Sequence, residues 1–132
     1  MSDENYQKLA QEWFNRADDD LRFAQAGFKG TGIARDACFL SHQAVEKYLK
    51  GYLASCGVDA KRIHILRLLL SDCIEKDEQF LELKDNCEFL DKFYRPARYP
   101  GEVEMDFSKN EAVRALEITE EAISFIKRKA LY

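Results

Sequence analysis

Proline is nearly absent from this chain. Its two copies, Pro96 and Pro100, fall within one short stretch. A proline inside a helix removes a donor and clashes with the preceding turn, so the remainder is free to be helical. Basic residues are not in excess either: 20 Lys and Arg face 24 Asp and Glu, for a net charge of −4 and a pI of about 5.3. That balance argues against a general nucleic-acid coat, which needs a basic surface. It leaves room for one local basic pocket. No apolar run approaches the roughly 20 residues of a membrane-spanning helix. The opening Met1-Ser-Asp-Glu-Asn5 is acidic and polar, unlike a signal peptide. Histidine occurs only at His42 and His64, and no Cys-x2-4-Cys spacing accompanies them, which argues against a zinc site. Cys38, Cys56, Cys73 and Cys87 each lie on or beside an apolar stripe. They read as buried free thiols in a reducing cytosol, hence a cytoplasmic protein. Lys29-Gly30-Thr31-Gly32 has no strand before it and no Gly-Lys-Ser/Thr after it, so it is not a phosphate loop. No nucleophile signature, internal repeat or alternating strand pattern occurs.

What is present is helical periodicity. The 132 residues are 46% hydrophobic and 33% charged, the balance of one globular domain spanning 1–132. A first helix is expected from about Glu4 to Phe28, with Tyr6, Ala10, Trp13, Ala17, Leu21, Ala24 and Phe28 on its inner stripe. Asp18, Asp19 and Asp20 point about 100° apart on a helix and cannot converge on one ion. They read as a solvated face, with Arg16–Asp20 and Asp18–Arg22 spaced to pair. After a tight turn capped by Thr31 or Gly32 comes the central helix, from about Arg35 to Cys56, stopped by Gly57. One stripe of it holds Cys38, Ser41, Val45, Tyr48 and Tyr52, and a second holds small residues such as Ala37, Ala44 and Gly51. Two apolar faces mark the core helix of a bundle. A shorter helix holds Ile63, Leu66, Leu70 and Cys73, and Asp77 restarts the chain. A fourth carries Phe80, Leu83, Cys87, Leu90 and Tyr94, with Phe89 and Phe93 on a neighbouring stripe that reads as a contact surface. The last follows a capping box, Ser108-Lys-Asn-Glu111, and runs to about Lys129. The expected fold class is all-α: an antiparallel up-and-down helical bundle of four long helices plus one short helix.

Two groups of residues carry candidate chemistry. Arg35, His42 and Glu46 share the mixed face of the central helix. Such a set can cleave RNA, the histidine moving a proton while the arginine holds phosphate. The plain alternative is a surface His42 pairing with Glu46. The second group is Arg95, Arg98 and Tyr99, in the irregular stretch between the two last helices. Two guanidiniums and an aromatic ring on a proline-fixed loop suit a phosphate and a base. Lys47, Lys61, Arg62 and Arg67 add positive charge if the bundle brings them near. The plain alternative there is a structural turn.

The run from Ala37 to Lys50, with Gln43-Ala-Val-Glu-Lys47 at its centre, resembles the second helix of the HEPN family (higher eukaryotes and prokaryotes nucleotide-binding domain). Arg98-Tyr99-Pro100 resembles that family's Arg-Tyr-Pro turn. His64-Ile65-Leu66 is similar to its His-Asp-Leu, with Ile65 replacing the Asp. The resemblance implies a bundle that pairs into a homodimer. It also implies a toxin-antitoxin-like two-protein system with a minimal nucleotidyltransferase, and a nucleotide or short RNA as ligand. Nucleotide binding would fall to Arg95, Arg98, Tyr99 and Lys47, without cofactor or metal. The nuclease motif of catalytic members, Arg-x4-6-His on a later helix, is missing. Val103, Glu104 and Met105 stand where the histidine after Arg98 should fall, and Gly101 and Glu102 fail Arg95 likewise. Arg35 and His42 match the spacing but on the wrong helix. The leading expectation is thus a non-catalytic binding module. The alternatives are a ribonuclease toxin and a purely structural partner subunit.

Overall fold

In the computed structural model, residues 1–94 and 107–130 are described. The helices are α1 (Asp3–Thr31), α2 (Ala34–Ser55), α3 (Leu66–Lys76), α4 (Lys84–Asp91) and α5 (Lys109–Ala130), with a 3-10 segment at Glu78–Leu83. Among the described residues there is no strand, and the fold is an all-α helical bundle. Helix α2 is its axis, packed against α1, α3, α4 and α5.

Local chemistry sets most of the ends. Ser2 Oγ accepts from Asn5 N (3.2 Å) to open α1. Helix α1 runs three residues past Phe28, through Gly30 and Thr31, and stops at Gly32 in the left-handed region (φ 70°). Thr31 is why the turn holds. Its hydroxyl donates to Gly27 O (2.7 Å) and accepts from Ile33 N (3.1 Å). The cap residue of α2 is therefore Ile33, not Thr31 or Gly32, and Thr31 acts from the preceding helix. Gly57 takes φ 76°, as its position after α2 requires. Asp77 accepts from Gln79 N (3.0 Å) to restart the chain. Ser108 and Glu111 form the reciprocal capping box, at 3.1 and 3.2 Å. The fourth helix is composite. It begins as a 3-10 segment, in which residues three apart eclipse, so Phe80 and Leu83 both point inward.

The core follows the expected stripes with informative exceptions. Cys38, Val45, Tyr48, Ala44 and Leu49 of α2 are buried, as are Ala112, Ala115, Thr119, Ala122 and Ile126 of α5. The small α5 residues let its backbone approach α2, where Thr119 Oγ1 reaches Ser41 O (3.4 Å). On α1 the deepest large side chain is Phe14, one position off the expected stripe. Its ring stacks on Tyr48 (centroids 4.9 Å apart) and lies over Gly51. Asp18 and Asp20 are not a solvated face. Asp18 accepts from Tyr48 Oη (2.7 Å) and Asp20 holds Lys47 (2.5 Å), so both tie α1 to α2. Phe93 is core rather than contact surface, wedged edge-on between Phe89 and Phe107. Three cysteines are buried, and burial pushes the Cys87 thiol up to about 12. Cys56 is exposed, because it sits beyond the last turn of α2. No helix among the described residues is long and apolar enough to cross a membrane.

Gly51 and Gly27 give a paired prediction. A Cβ at Gly51 would stand 2.4 Å from Phe14 Cε1, whereas one at Gly27 meets nothing within 4 Å. Gly51→Ala is expected to destabilise by about 1–3 kcal/mol through overpacking. Gly27→Ala is expected to stabilise by about 0.4–1 kcal/mol by restricting the unfolded chain. Chemical denaturation of the two variants checks the opposite signs.

Candidate functional site

Helix α2 carries His42, Glu46 and Lys50 one turn apart on one face, and they are 0%, 4% and 6% exposed. Burying ionisable groups is costly unless each finds a partner. The partners come from α2 itself and from three other segments. Glu46 accepts from Lys50 Nζ (3.1 Å) on its own helix. Its two oxygens lie 3.2 Å from Nδ1 of His64, in the connection before α3. Lys50 Nζ also sits 5.5 Å from the centre of the Trp13 ring of α1, a cation–π contact. His42 Nδ1 meets Gln43 Oε1 at 3.1 Å. His42 Nε2 faces Asp91 Oδ1 at 3.5 Å, an electrostatic contact longer than a good hydrogen bond.

Asp91, at the end of α4, joins this cluster to α3. The cap residue of α3 is Ile65, which has no side-chain oxygen to offer the first turn. Asp91 supplies it from another helix, accepting from Leu66 N (2.7 Å) and Arg67 N (3.1 Å). Arg67 Nε adds a third contact at 3.2 Å. Burial pushes the Asp91 carboxyl up. The His42 contact and the two backbone N–H groups outweigh it and hold the carboxyl below its usual range.

The aromatic part is a ladder. The half-buried Tyr94 ring lies between His42 (5.2 Å, 30°) and His64 (5.3 Å, 18°). His42 is enclosed, while the side chains of His64 and Arg67 are 50% and 61% exposed. The ladder thus leads from the core to solvent. Arg95 is the residue after Tyr94 in the chain.

The expected residues are distributed unevenly around this cluster. His42 and Glu46 belong to it, but the expected pair between them is not made. Each turns to a different partner, and His42 is buried rather than on the surface. Arg35 is exposed in the first turn of α2. Lys47 is held by Asp20 at the α1–α2 contact, on another side of α2. Lys61 pairs with Asp72 (3.4 Å). Arg95, Arg98 and Tyr99, and the turn at Pro100, lie outside the described residues. Asp91, Tyr94, Lys50 and His64 were not singled out as site residues by sequence. The four-residue spacing of His42, Glu46 and Lys50 is the one sequence signal that they share a face, and it does not show that the face is buried. A separate groove of about 560 Å3 on α5 is lined by Glu117, Glu120, Glu121, Ser124 and Arg128. Its acidic lining does not suit a phosphate.

Comparison with known proteins agrees with this architecture. The HEPN domain model matches residues 10–129. The crystal structure of TT1696 from Thermus thermophilus is similar at a TM-score of 0.80 and 33% identity, covering 91% of this chain and 97% of that one. The crystal structure of ST0689, an archaeal HEPN homologue, is similar at a TM-score of 0.74 and 27% identity, covering 92% and 97%. No protein of curated function matches the sequence. The molecule is an all-α bundle with a buried polar row on its central helix. The chain belongs to the HEPN domain family.

Asp91 yields the prediction for this site. Its depressed carboxyl contributes stability that is fully present above the unfolded carboxylate value, about 3.9. That contribution is lost as pH falls through the lower folded value. Asp91→Ala removes the acceptor for α3 and is expected to cost about 1–2 kcal/mol at neutral pH. The difference from the unsubstituted protein should shrink below about pH 4. Denaturation midpoints of the two proteins between pH 3 and 7 check both the size and the sign.

Proposed function

We propose that this chain is a nucleotide- or RNA-binding HEPN module, non-catalytic by itself and acting beside a minimal nucleotidyltransferase. The observation that carries the reading is the His42–Tyr94–His64 ladder, an aromatic and polar path from the core to solvent. It leads in sequence directly into the stretch holding Arg95, Arg98 and Tyr99. Aromatic faces and guanidiniums together suit a base and its phosphate. The ribonuclease alternative, with Arg35, His42 and Glu46, loses support from the geometry. His42 has no exposed surface, and Glu46 is committed to Lys50 and His64. Pairing into a homodimer is part of the same proposal. Phe23 (71% exposed), Leu81 (58%) and Leu68 (50%) are large apolar side chains left open. Four free cysteines fit a cytoplasmic location.

The test is a titration of the purified protein with ATP, GTP and a short RNA, together with Arg98→Lys and Tyr99→Leu. At least one ligand is expected to bind. Arg98→Lys should weaken it although charge is kept, since the planar fork is lost. Tyr99→Leu should weaken it by about 1–3 kcal/mol if a base stacks there. Binding unaltered in both variants, with lowered melting temperatures, would assign the turn a structural role. Cleavage of the RNA during incubation, abolished by His42→Ala, would establish the ribonuclease reading instead. Light scattering of the same sample is expected to give twice the chain mass.

A further inference from the structure

His64 is an exposed side chain held in a fixed orientation. Glu46 is an acceptor on both oxygens, and each lies 3.2 Å from His64 Nδ1. The hydrogen therefore sits on Nδ1, and Nε2 points away from the carboxylate. The Tyr94 ring sets the plane of the imidazole at 18° to its own. Glu46 does not need His64 for neutrality, because Lys50 already approaches it at 3.1 Å. Nor does the core need the ring, which is half exposed. A buried carboxylate that orients one ring nitrogen while the other faces outward is a common way to present histidine to a ligand. Arg67, three residues on, is fixed in a similar manner. Its Nε is spent on Asp91 (3.2 Å), while the side chain is 61% exposed and ends in a planar guanidinium.

We infer that His64 and Arg67 form a phosphate subsite, in which His64 Nε2 and the Arg67 guanidinium grip one phosphate group of a nucleotide or RNA. This rests on the nucleotide-binding reading and gives it two residues outside the 95–106 stretch. Grip by His64 requires its protonated form, whose Nε2 then donates a charge-assisted hydrogen bond. The groups around it are Glu46 and Lys50 on α2, His42 behind Tyr94, Asp91 at the end of α4, and Arg67 on its own side. Glu46 is opposed by Lys50 and Asp91 by Arg67, so charging His64 adds one net positive charge to the cluster. Because the grip needs the protonated ring, phosphate affinity through His64 strengthens toward lower pH.

The experiment is calorimetric titration with tripolyphosphate, ATP and adenosine at pH 6, 7 and 8. The proteins are the unsubstituted chain, His64→Gln and Arg67→Gln, with melting temperatures measured alongside. Each substitution is expected to lower tripolyphosphate affinity by about ten-fold or more at pH 6. The affinity ratio between the unsubstituted chain and His64→Gln is expected to grow as pH falls. Taking that ratio cancels the titration of the polyphosphate itself. His64→Gln should melt close to the unsubstituted protein, since the ring is half exposed. If either variant binds tripolyphosphate as tightly as the unsubstituted chain, or the ratio is flat with pH, the subsite is wrong. ATP bound equally well by His64→Gln removes the subsite and leaves the nucleotide reading standing. Tripolyphosphate binding that depends on His64, with adenosine unbound and ATP no tighter, supports the subsite and removes the base contact. No polyphosphate binding by the unsubstituted chain overturns both.

Discussion

Three ionisable side chains buried in a row on α2 are the constraint around which the neighbouring segments are assembled. His42, Glu46 and Lys50 are within 6% of full burial, where an unpaired charge is costly. Glu46 is the pivot, since it holds Lys50 on its own helix and His64 across the gap to α3. Lys50 in turn draws in Trp13 of α1, and His42 faces Asp91 of α4. Each of the three side chains thus recruits a different segment. The alternative, replacement of the row by apolar residues, is often neutral or stabilising in proteins.

Asp91 shows how the demand propagates. Helix α3 starts without a capping side chain of its own, so its first turn depends on α4 for an acceptor. The same carboxylate faces His42 and fixes Arg67. Position of α3, orientation of Arg67 and burial of His42 are then one coupled unit. At the opposite side of α2 the packing is of another kind. Gly51 admits the Phe14 ring, and Asp18 and Asp20 bind Tyr48 and Lys47 across the α1–α2 contact. That side is locked by shape, one ion pair and one hydrogen bond to a carboxylate, whereas the polar row reaches solvent only through His64 and Arg67.

The bundle was largely legible in the sequence because helical periodicity and caps are local. Gly57, Asp77 and the Ser108–Glu111 box act within a few residues, and each was readable as such. Thr31 was harder, because its hydroxyl serves two turns at once. The site was far less legible. His42 and Glu46 were visible as one face, yet their partners are set by the packing of other segments. Asp91 lies 25 positions from the amide it caps at Leu66. Tyr94 read as another apolar stripe residue, and only the fold places it between two imidazoles. The acidic run at Asp18–Asp20 misled for the same reason, since its partners are 27 and 30 positions away.

The two histidines allow the central claim to be tested in one measurement. Ring resonances of His42 and His64, the only imidazoles in the chain, can be followed by NMR as ATP is added. The arrangement predicts that His64 responds strongly, with its hydrogen on Nδ1 toward Glu46 before addition. His42, enclosed behind Tyr94, should respond weakly. A His64 resonance unmoved by saturating ATP, or a His64 ring carrying no hydrogen on Nδ1 in the free protein, would contradict the account.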